Sequence, residues 1–255
     1  TDLILEPLAS AEAVLTEDEK EAGVVLVDIG GGTTDIAVFF DGIVRHTAVI
    51  PFGGNVITSD IKEGCSILHR QAEQLKVQFG SALGDIAPED KIVTIPGISG
   101  REPKEISFKS LAYIIQSRME DIIDYVTFEI ENSGYAEKLS AGIVITGGGS
   151  LLRHLPQLVK FKTGFDVRIG YPNEYLSADS PEDINSPKFS TAIGLVLKGF
   201  EQLETIEKID QNNHNKELSS AKEKKIKVKE VKRTNIIDRF KRTFTEIFEE
   251  NDAEM

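Results

Sequence analysis

Asp28-Ile29-Gly30-Gly31-Gly32-Thr33-Thr34-Asp35 stands between two apolar runs, Val24–Ile29 and Asp35–Phe40, each rich in Val, Ile or Phe. Runs of that length and composition predict buried strands. Three successive glycines let the backbone turn through positive φ and come close to a ligand. Successive N–H groups in such a turn form a concavity suited to an anion. Thr33 and Thr34 add hydroxyl donors, and Asp28 at the strand end suits Mg²⁺ held through water. The pattern predicts phosphate binding, although the same residues also suit a plain hairpin whose turn amides are satisfied by Asp28 and Asp35.

Outward from this turn, Asp41-Gly42 predicts a hairpin into a third strand, Ile43–Ile50. A strand, a glycine turn and a second strand form a meander, which excludes a dinucleotide-binding βαβ opening, where a helix follows the glycines. Upstream, Ala9–Leu15 predicts a short helix. Downstream, apolar residues at Ile61, Cys65, Leu68, Ala72, Leu75 and Phe79 predict one helix over Thr58–Phe79. A second stripe, Phe108, Leu111, Ile115, Ile122 and Val126, predicts a helix over Phe108–Ile130. Lys91–Ile95 and Glu105–Phe108 read as short strands between them. Gly142–Thr146 reads as another buried strand, running into Gly147-Gly148-Gly149-Ser150 and a helix from Leu151. Val167–Ile169 reads as a strand and Thr191–Leu203 as a last helix, with Ala192 and Gly194 small enough for close packing. The fold class expected is α/β, with an insertion between Pro51 and about Ser140.

Two further features carry chemistry. The Gly147–Gly149 turn leads from a strand into a helix, whose N-terminus favours anions; it also serves as a simple connector. Glu73 and Lys76, three apart, share one helix face. A carboxylate there can accept ribose hydroxyls and an ammonium can sit near a base or phosphate, while the alternative is a surface ion pair.

Composition removes other classes. The 255 residues carry a net charge of −13, which argues against nucleic acid, since phosphate needs a basic footprint. Cys65 is the only cysteine, so no intrachain disulfide forms; that suits a reducing cytoplasm. The four histidines have no metal-ligand spacing with it. No apolar run approaches the roughly 18 residues that span a bilayer, and no signal peptide opens the chain. The chain starts at Thr1 rather than Met, as one cut from a longer protein would.

The tail differs from the body. Residues 206–233 read as a basic linker, and 222–242 are rich in Lys and Arg, with Glu223, Glu230 and Asp238 the acidic residues among them. Within 234–250, Ile236, Ile237, Phe240, Phe244, Ile247 and Phe248 fall inside an arc of roughly 120° at about 100° per residue. A helix this segregated, with a basic flank, predicts attachment to an anionic membrane surface. The alternative is a helix docked on the body. So short a stripe binds weakly alone and strongly when many copies are linked.

The phosphate turn, the Glu73/Lys76 pair and the later glycine turn, in that order, resemble the actin, Hsp70 and sugar-kinase ATPase superfamily. The division-protein family FtsA is a nearer resemblance. It is carried by Pro7–Ala13, Val27–Ile36, Pro51-Phe52-Gly53-Gly54-Asn55, Ala72-Glu73-Gln74-Leu75-Lys76 and Gly142–Gly149, spread over the first 200 or so residues.

That resemblance implies an actin-like (ribonuclease H-like) ATPase half. Residues 1–50 and 141–205 would form its larger subdomain and 51–140 an inserted smaller one. It implies ATP with Mg²⁺, contacted by Asp28, Gly30, Gly31, Gly32, Thr33, Thr34, Glu73, Lys76, Gly147, Gly148 and Gly149. It implies that Arg101, Arg118 and Asp121 meet the C-terminal peptide of the tubulin-like FtsZ. It further implies self-assembly into filaments, other division partners, and a place on the cytoplasmic face of the bacterial inner membrane at the division site. The superfamily's first phosphate loop and the facing first-half domain have no counterpart in this sequence. Catalytic residues are therefore unassigned, and at most weak ATPase activity is expected, of the whole protein and not of this half. Two other readings remain: an actin-like scaffold of a different membrane assembly, such as a pilus-assembly homologue, and a sugar-kinase-like or Hsp70-like ATPase. The roughly 50 tail residues are too few for the substrate-binding domain an Hsp70 needs.

Overall fold

Alternation along the first strands decides how the layers stack. In the computed structural model, which describes residues 3–97, 102–172, 176–177 and 181–205, β1 (Val24–Ile29) pairs antiparallel with β2 (Thr34–Phe40), and β2 with β3 (Ile43–Ile50). Val25, Val27, Ile29, Ile36 and Val38 face one layer, while Val24, Leu26, Ala37 and Phe39 face the other. Both faces of β1 are covered, so its residues are apolar without interruption until Asp28. β6 (Ile143–Thr146) lies parallel to β1, and β7 (Val167–Ile169) parallel to β6, giving the sheet order β3-β2-β1-β6-β7.

The first layer is formed by helices α1 (Glu6–Val14) and the start of α7 (190–199), whose Ile193 and Leu197 pack against the cluster that includes Ala11, Val14 and Leu26. Gly194 permits this approach, because any Cβ there would overlap the Ala9 carbonyl. α2 (Glu17–Ala22) opens on a capping box: Thr16 Oγ1 accepts from the Glu19 amide, and the Glu19 carboxylate accepts from the Thr16 amide.

The second layer holds α3 (Gly54–Cys65), α4 (His69–Phe79), α5 (Phe108–Asn132) and α6 (Leu155–Thr163). Leu111, Ile115, Met119, Ile122, Val126 and Ile130 bury the inner stripe of α5 against Ile57 and Ile61 of α3 and the sheet. β4 (Ile92–Ile95) and β5 (Lys104–Ser107) form a separate antiparallel pair.

The single helix expected over Thr58–Phe79 is two. Ser66 takes the left-handed conformation (φ 49°, ψ 54°) and ends α3. The Lys104 ammonium donates to the Cys65 and Ser66 carbonyls, and the Gln71 side chain accepts the Leu68 amide to start α4. The helix expected from Leu151 starts at Leu155; Gly148–Leu151 is instead a 3₁₀ turn.

Residues up to Gly199 form one unit, and Phe200–Met255 a second, of which 200–205 are described and helical. Among the described residues no helix is long and apolar enough to cross a membrane. The linker and the amphipathic helix expected over 206–250, with Ile236, Ile237, Phe240, Phe244, Ile247 and Phe248, lie outside the described residues.

Candidate functional site

Asp28 and Thr146 sit opposite each other at the carboxyl ends of the parallel neighbours β1 and β6. Crevices at such strand ends are where open α/β sheets bind ligands. Both glycine turns leave from this point and touch. A Cβ at Gly147 (φ 79°) would overlap Asp28 Oδ1, and one at Gly149 would overlap the Ile29 side chain. Only glycine allows the two backbones to approach so closely.

The first turn closes with the Gly30 amide donating to the Thr33 carbonyl at 2.9 Å. Its outer side is braced by α3, where the Gly54 amide donates to Gly30 O at 2.9 Å and the Asn55 amide to Gly31 O at 2.8 Å. Gly53 lies so near that a Cβ there would meet Gly30 O at 2.6 Å and Thr33 O at 2.8 Å. The first amides of α3 thus bind the loop's carbonyls. Among the described residues, the Gly31 and Gly32 amides have no protein acceptor, which leaves them for an anion. The two threonines divide. Thr33 Oγ1 donates to Asp35 at 2.9 Å, while Thr34 is fully buried and its hydroxyl donates to the Phe52 carbonyl at 2.8 Å. Thr34 therefore clasps the chain entering α3.

Asp28 points into the layer of α1 and α7. Its Oδ2 accepts from Ser10 at 2.6 Å and from Thr191 at 3.3 Å, and those hydroxyls lie 2.9 Å apart. Burial lifts its carboxyl above the ordinary carboxylate range. The Ser10 hydrogen bond counters that, the neighbouring Asp35 charge adds to it, and Thr191 again counters it. Glu6 is raised too, through burial and then the charges of Asp35 and Asp28. Ser10, Thr191 and Glu6 escape a reading of the sequence, because alternation places Asp28 on a face but does not reveal which helix covers it.

Glu73 and Lys76 form the far side. Lys76 Nζ is 2.8 Å from Glu73 Oε2, and both meet the buried Thr58 hydroxyl of α3. Burial pushes the Glu73 carboxyl up, but hydrogen bonds from Lys76 and Thr58 and the Lys76 charge outweigh it and hold the carboxyl below its ordinary range. Between this pair and the glycine turns lies a half-open cleft of about 300 Å³. Its apolar wall includes Ile57, Val77, Leu151 and Leu152; Gly148, Gly149, Asn55, Arg153 and Lys188 complete it. Arg153 also ties this wall to α4, donating to the Gln78 carbonyl at 3.0 Å. A cleft with one apolar wall, free loop amides and a carboxylate suits a flat heterocycle linked to an anion. Among the described residues no cluster of His, Cys, Asp and Glu forms a metal cage.

The remaining predicted residues lie elsewhere. The Arg118 guanidinium of α5 is bidentate to Asp60 of α3, at 2.6 and 3.2 Å, and its third side meets Asp121 at 3.0 Å. Arg101 is outside the described residues.

A sequence model described as "Cell division protein FtsA" matches residues 25–194. The cell division protein FtsA of Pseudomonas aeruginosa is 41% identical over 201 residues, covering 79% of this chain and 48% of that protein. FtsA of Escherichia coli K12 is 42% identical over 207 residues, covering 78% and 49%. The chain spans about half the length of these curated relatives. Among solved structures, MreB 5 of Spiroplasma citri bound to AMPPNP superposes with a TM-score of 0.65 at 23% identity, over 80% of this chain and 60% of that one. A PilM–PilN type IV pilus biogenesis complex gives 0.57 at 19%, over 78% and 53%. These last two establish an actin-like fold. By its sequence the chain belongs to the FtsA family of cell division proteins.

Proposed function

We propose that this chain is the nucleotide-facing half of an actin-like division protein, which binds ATP, assembles with copies of itself and links FtsZ to the cytoplasmic membrane at the division site. The observation that carries the nucleotide reading is the meeting of two glycine turns at the ends of β1 and β6, with the Gly31 amide free at a cleft of about 300 Å³ and the Gly32 amide free in the same turn. In this reading those amides take phosphate oxygens, Glu73 takes the ribose, and the base lies along Val77, Leu151 and Leu152. Asp28 fits Mg²⁺ through water better than by direct ligation, since Ser10 and Thr191 already hold Oδ2 and Gly147 crowds Oδ1. A bound cation there would favour the ionised carboxylate that burial opposes. The facing half of the site comes from outside this chain, so hydrolysis is not assigned to its residues. Residues 1–50 with 141–205, and 51–140, act as two subdomains that bound the cleft.

Titration of full-length protein with Mg-ATP tests the nucleotide reading. Submillimolar binding is expected, weakened about tenfold or more by Glu73→Gln, which removes a charged hydrogen-bond acceptor. Unchanged affinity in that variant would contradict the site.

The membrane part rests on the amphipathic pattern of 234–250 and its basic flank. Single helices bind weakly and assembled copies bind by avidity. Full-length protein is expected to float with anionic vesicles, and deletion of 234–250 to abolish flotation. Persistent flotation of the deletion would remove the tether. The FtsZ part rests on Arg118, together with Arg101. Asp121 holds one edge of the Arg118 guanidinium that an acidic peptide would need.

A further inference from the structure

Thr58 is fully buried in α3, and the phosphate turn, the sheet and the apolar wall of the cleft do not involve it. Its hydroxyl lies 2.5 Å from Glu73 Oε2, 2.8 Å from Lys76 Nζ and 3.1 Å from the Gly54 carbonyl. An ammonium has three donor hydrogens. Lys76 has three acceptors within 2.8 Å: Gly54 O, Thr58 Oγ1 and Glu73 Oε2. Its side chain is 12% exposed, so water offers little alternative. Lys76 is therefore saturated by the protein. Glu73 is divided: Oε2 accepts from Thr58 and Lys76, and among the described residues Oε1 has no protein donor. The Glu73 side chain is 44% exposed and borders the cleft. The Gly54 backbone joins the two ends of the cleft. Its amide donates to Gly30 O in the phosphate turn, and its carbonyl accepts from Lys76.

We propose that Thr58 is a positioning residue of this site, whose hydroxyl fixes the Glu73 carboxylate so that Oε1 alone reads the sugar, with Lys76 holding the frame and not the ligand. The inference rests on the nucleotide reading above and deepens it, by naming how the site selects a ribonucleotide. A carboxylate anchored through one oxygen meets the sugar hydroxyls in a fixed direction. Removing either hydroxyl leaves a charged acceptor without its donor, which binding penalises. Without the Thr58 hydroxyl, Lys76 loses one acceptor and Glu73 Oε2 keeps only Lys76 of its two donors, so its carboxylate is less firmly oriented. Selectivity for the sugar is then lost while the phosphate contacts, made by Gly31 and Gly32, remain.

The test is a competition assay on full-length protein with ATP, 2′-deoxy-ATP, 3′-deoxy-ATP and ADP. Wild type is expected to favour ATP over at least one deoxy analogue by about tenfold, as expected for a hydrogen bond to a charged group. Thr58→Val is expected to reduce that ratio to within about twofold and leave the ATP-to-ADP ratio unchanged, and Thr58→Ser to retain the wild-type ratio. Thr58→Ala gives the same reading if the Val variant folds poorly. A uniform loss of affinity with the deoxy ratio intact would make Thr58 a packing residue and overturn the inference alone. Wild type that binds ATP without discriminating the deoxy analogues would overturn it together with the ribose role of Glu73, and leave the phosphate contacts standing. Wild type that binds no nucleotide would overturn the nucleotide reading and this inference together.

Discussion

Asp28 shows how a single residue's environment sets opposing demands. Its carboxyl is buried between Ser10 and Thr191 and lies near Asp35, so its folded pKa stands above the unfolded value. A group raised in this way contributes stability that is complete below the unfolded pKa, about 3.9 for Asp, and lost as pH rises through the folded pKa. At neutral pH the ionised carboxylate therefore opposes folding. Asp28→Asn is expected to raise the melting temperature at pH 7, to lose that advantage below about pH 4, and to weaken Mg-ATP binding. Glu73 is the reverse case. Its lowered pKa contributes stability above its unfolded value and loses it as pH falls through the folded one. Glu73→Gln is thus expected to melt below wild type at neutral pH and to converge with it in acid; melting curves across pH check both signs. The glycine turn after Asp28 was legible as a turn, because consecutive glycines interrupt two apolar strands. Thr58 was not, since a threonine inside a helix carries no signal until the opposing helix is known. Lys76 was legible as a cation sharing a helix face with Glu73, but a sequence does not show that Gly54, Thr58 and Glu73 already take its protons.

Among the elements, α3 connects most of what matters. Its first amides brace the phosphate turn, Thr58 holds Glu73 of α4, and Asp60 holds Arg118 of α5. Its end was hidden in the sequence. The apolar stripe of α3 continues in phase into α4, and Gly64 lies inside the last turn of α3 and not at the stop itself; the stop lies in the left-handed backbone of Ser66 and in Lys104, distant in sequence. Ser66→Gly places the residue best suited to that conformation at the helix end and is expected to stabilise the fold by up to about 1 kcal/mol, read as a rise in denaturant midpoint without a change in slope. A drop would mean that the Ser66 side chain matters in its own right. The Asp60–Arg118 pair is partly exposed, so Asp60→Ala is expected to reduce stability by less than about 1 kcal/mol. The same substitution frees a guanidinium edge. It, or Asp121→Ala, is expected to tighten binding of an acidic FtsZ-tail peptide, whereas Arg118→Ala weakens it; fluorescence anisotropy with a labelled peptide separates these outcomes. Equal effects from all three variants would leave Arg118 as a brace between helices.

Across the whole chain, charge is segregated. The net charge is −13, yet 222–242 are strongly basic. Vesicle flotation through that segment is expected to weaken between low and moderate salt, as screening shortens the reach of lysine and arginine; flotation insensitive to salt would assign the attachment to the apolar stripe alone. The five-stranded order was legible only in part. Alternation and composition marked the meander and the buried strand before Gly147, but nothing local indicates that β6 lies beside β1. That neighbourhood, which brings the two glycine turns together, is set by packing across more than 100 residues of sequence. In the proposed reading these turns and the Glu73 face enclose one nucleotide site. Amide hydrogen exchange of the full-length protein, with and without Mg-ATP, probes that enclosure segment by segment. Protection is predicted in peptides covering 28–34, 53–58, 73–80 and 146–153, with 92–95 and 104–107 unchanged. Protection confined to other segments, with the two glycine turns exchanging as before, would contradict it.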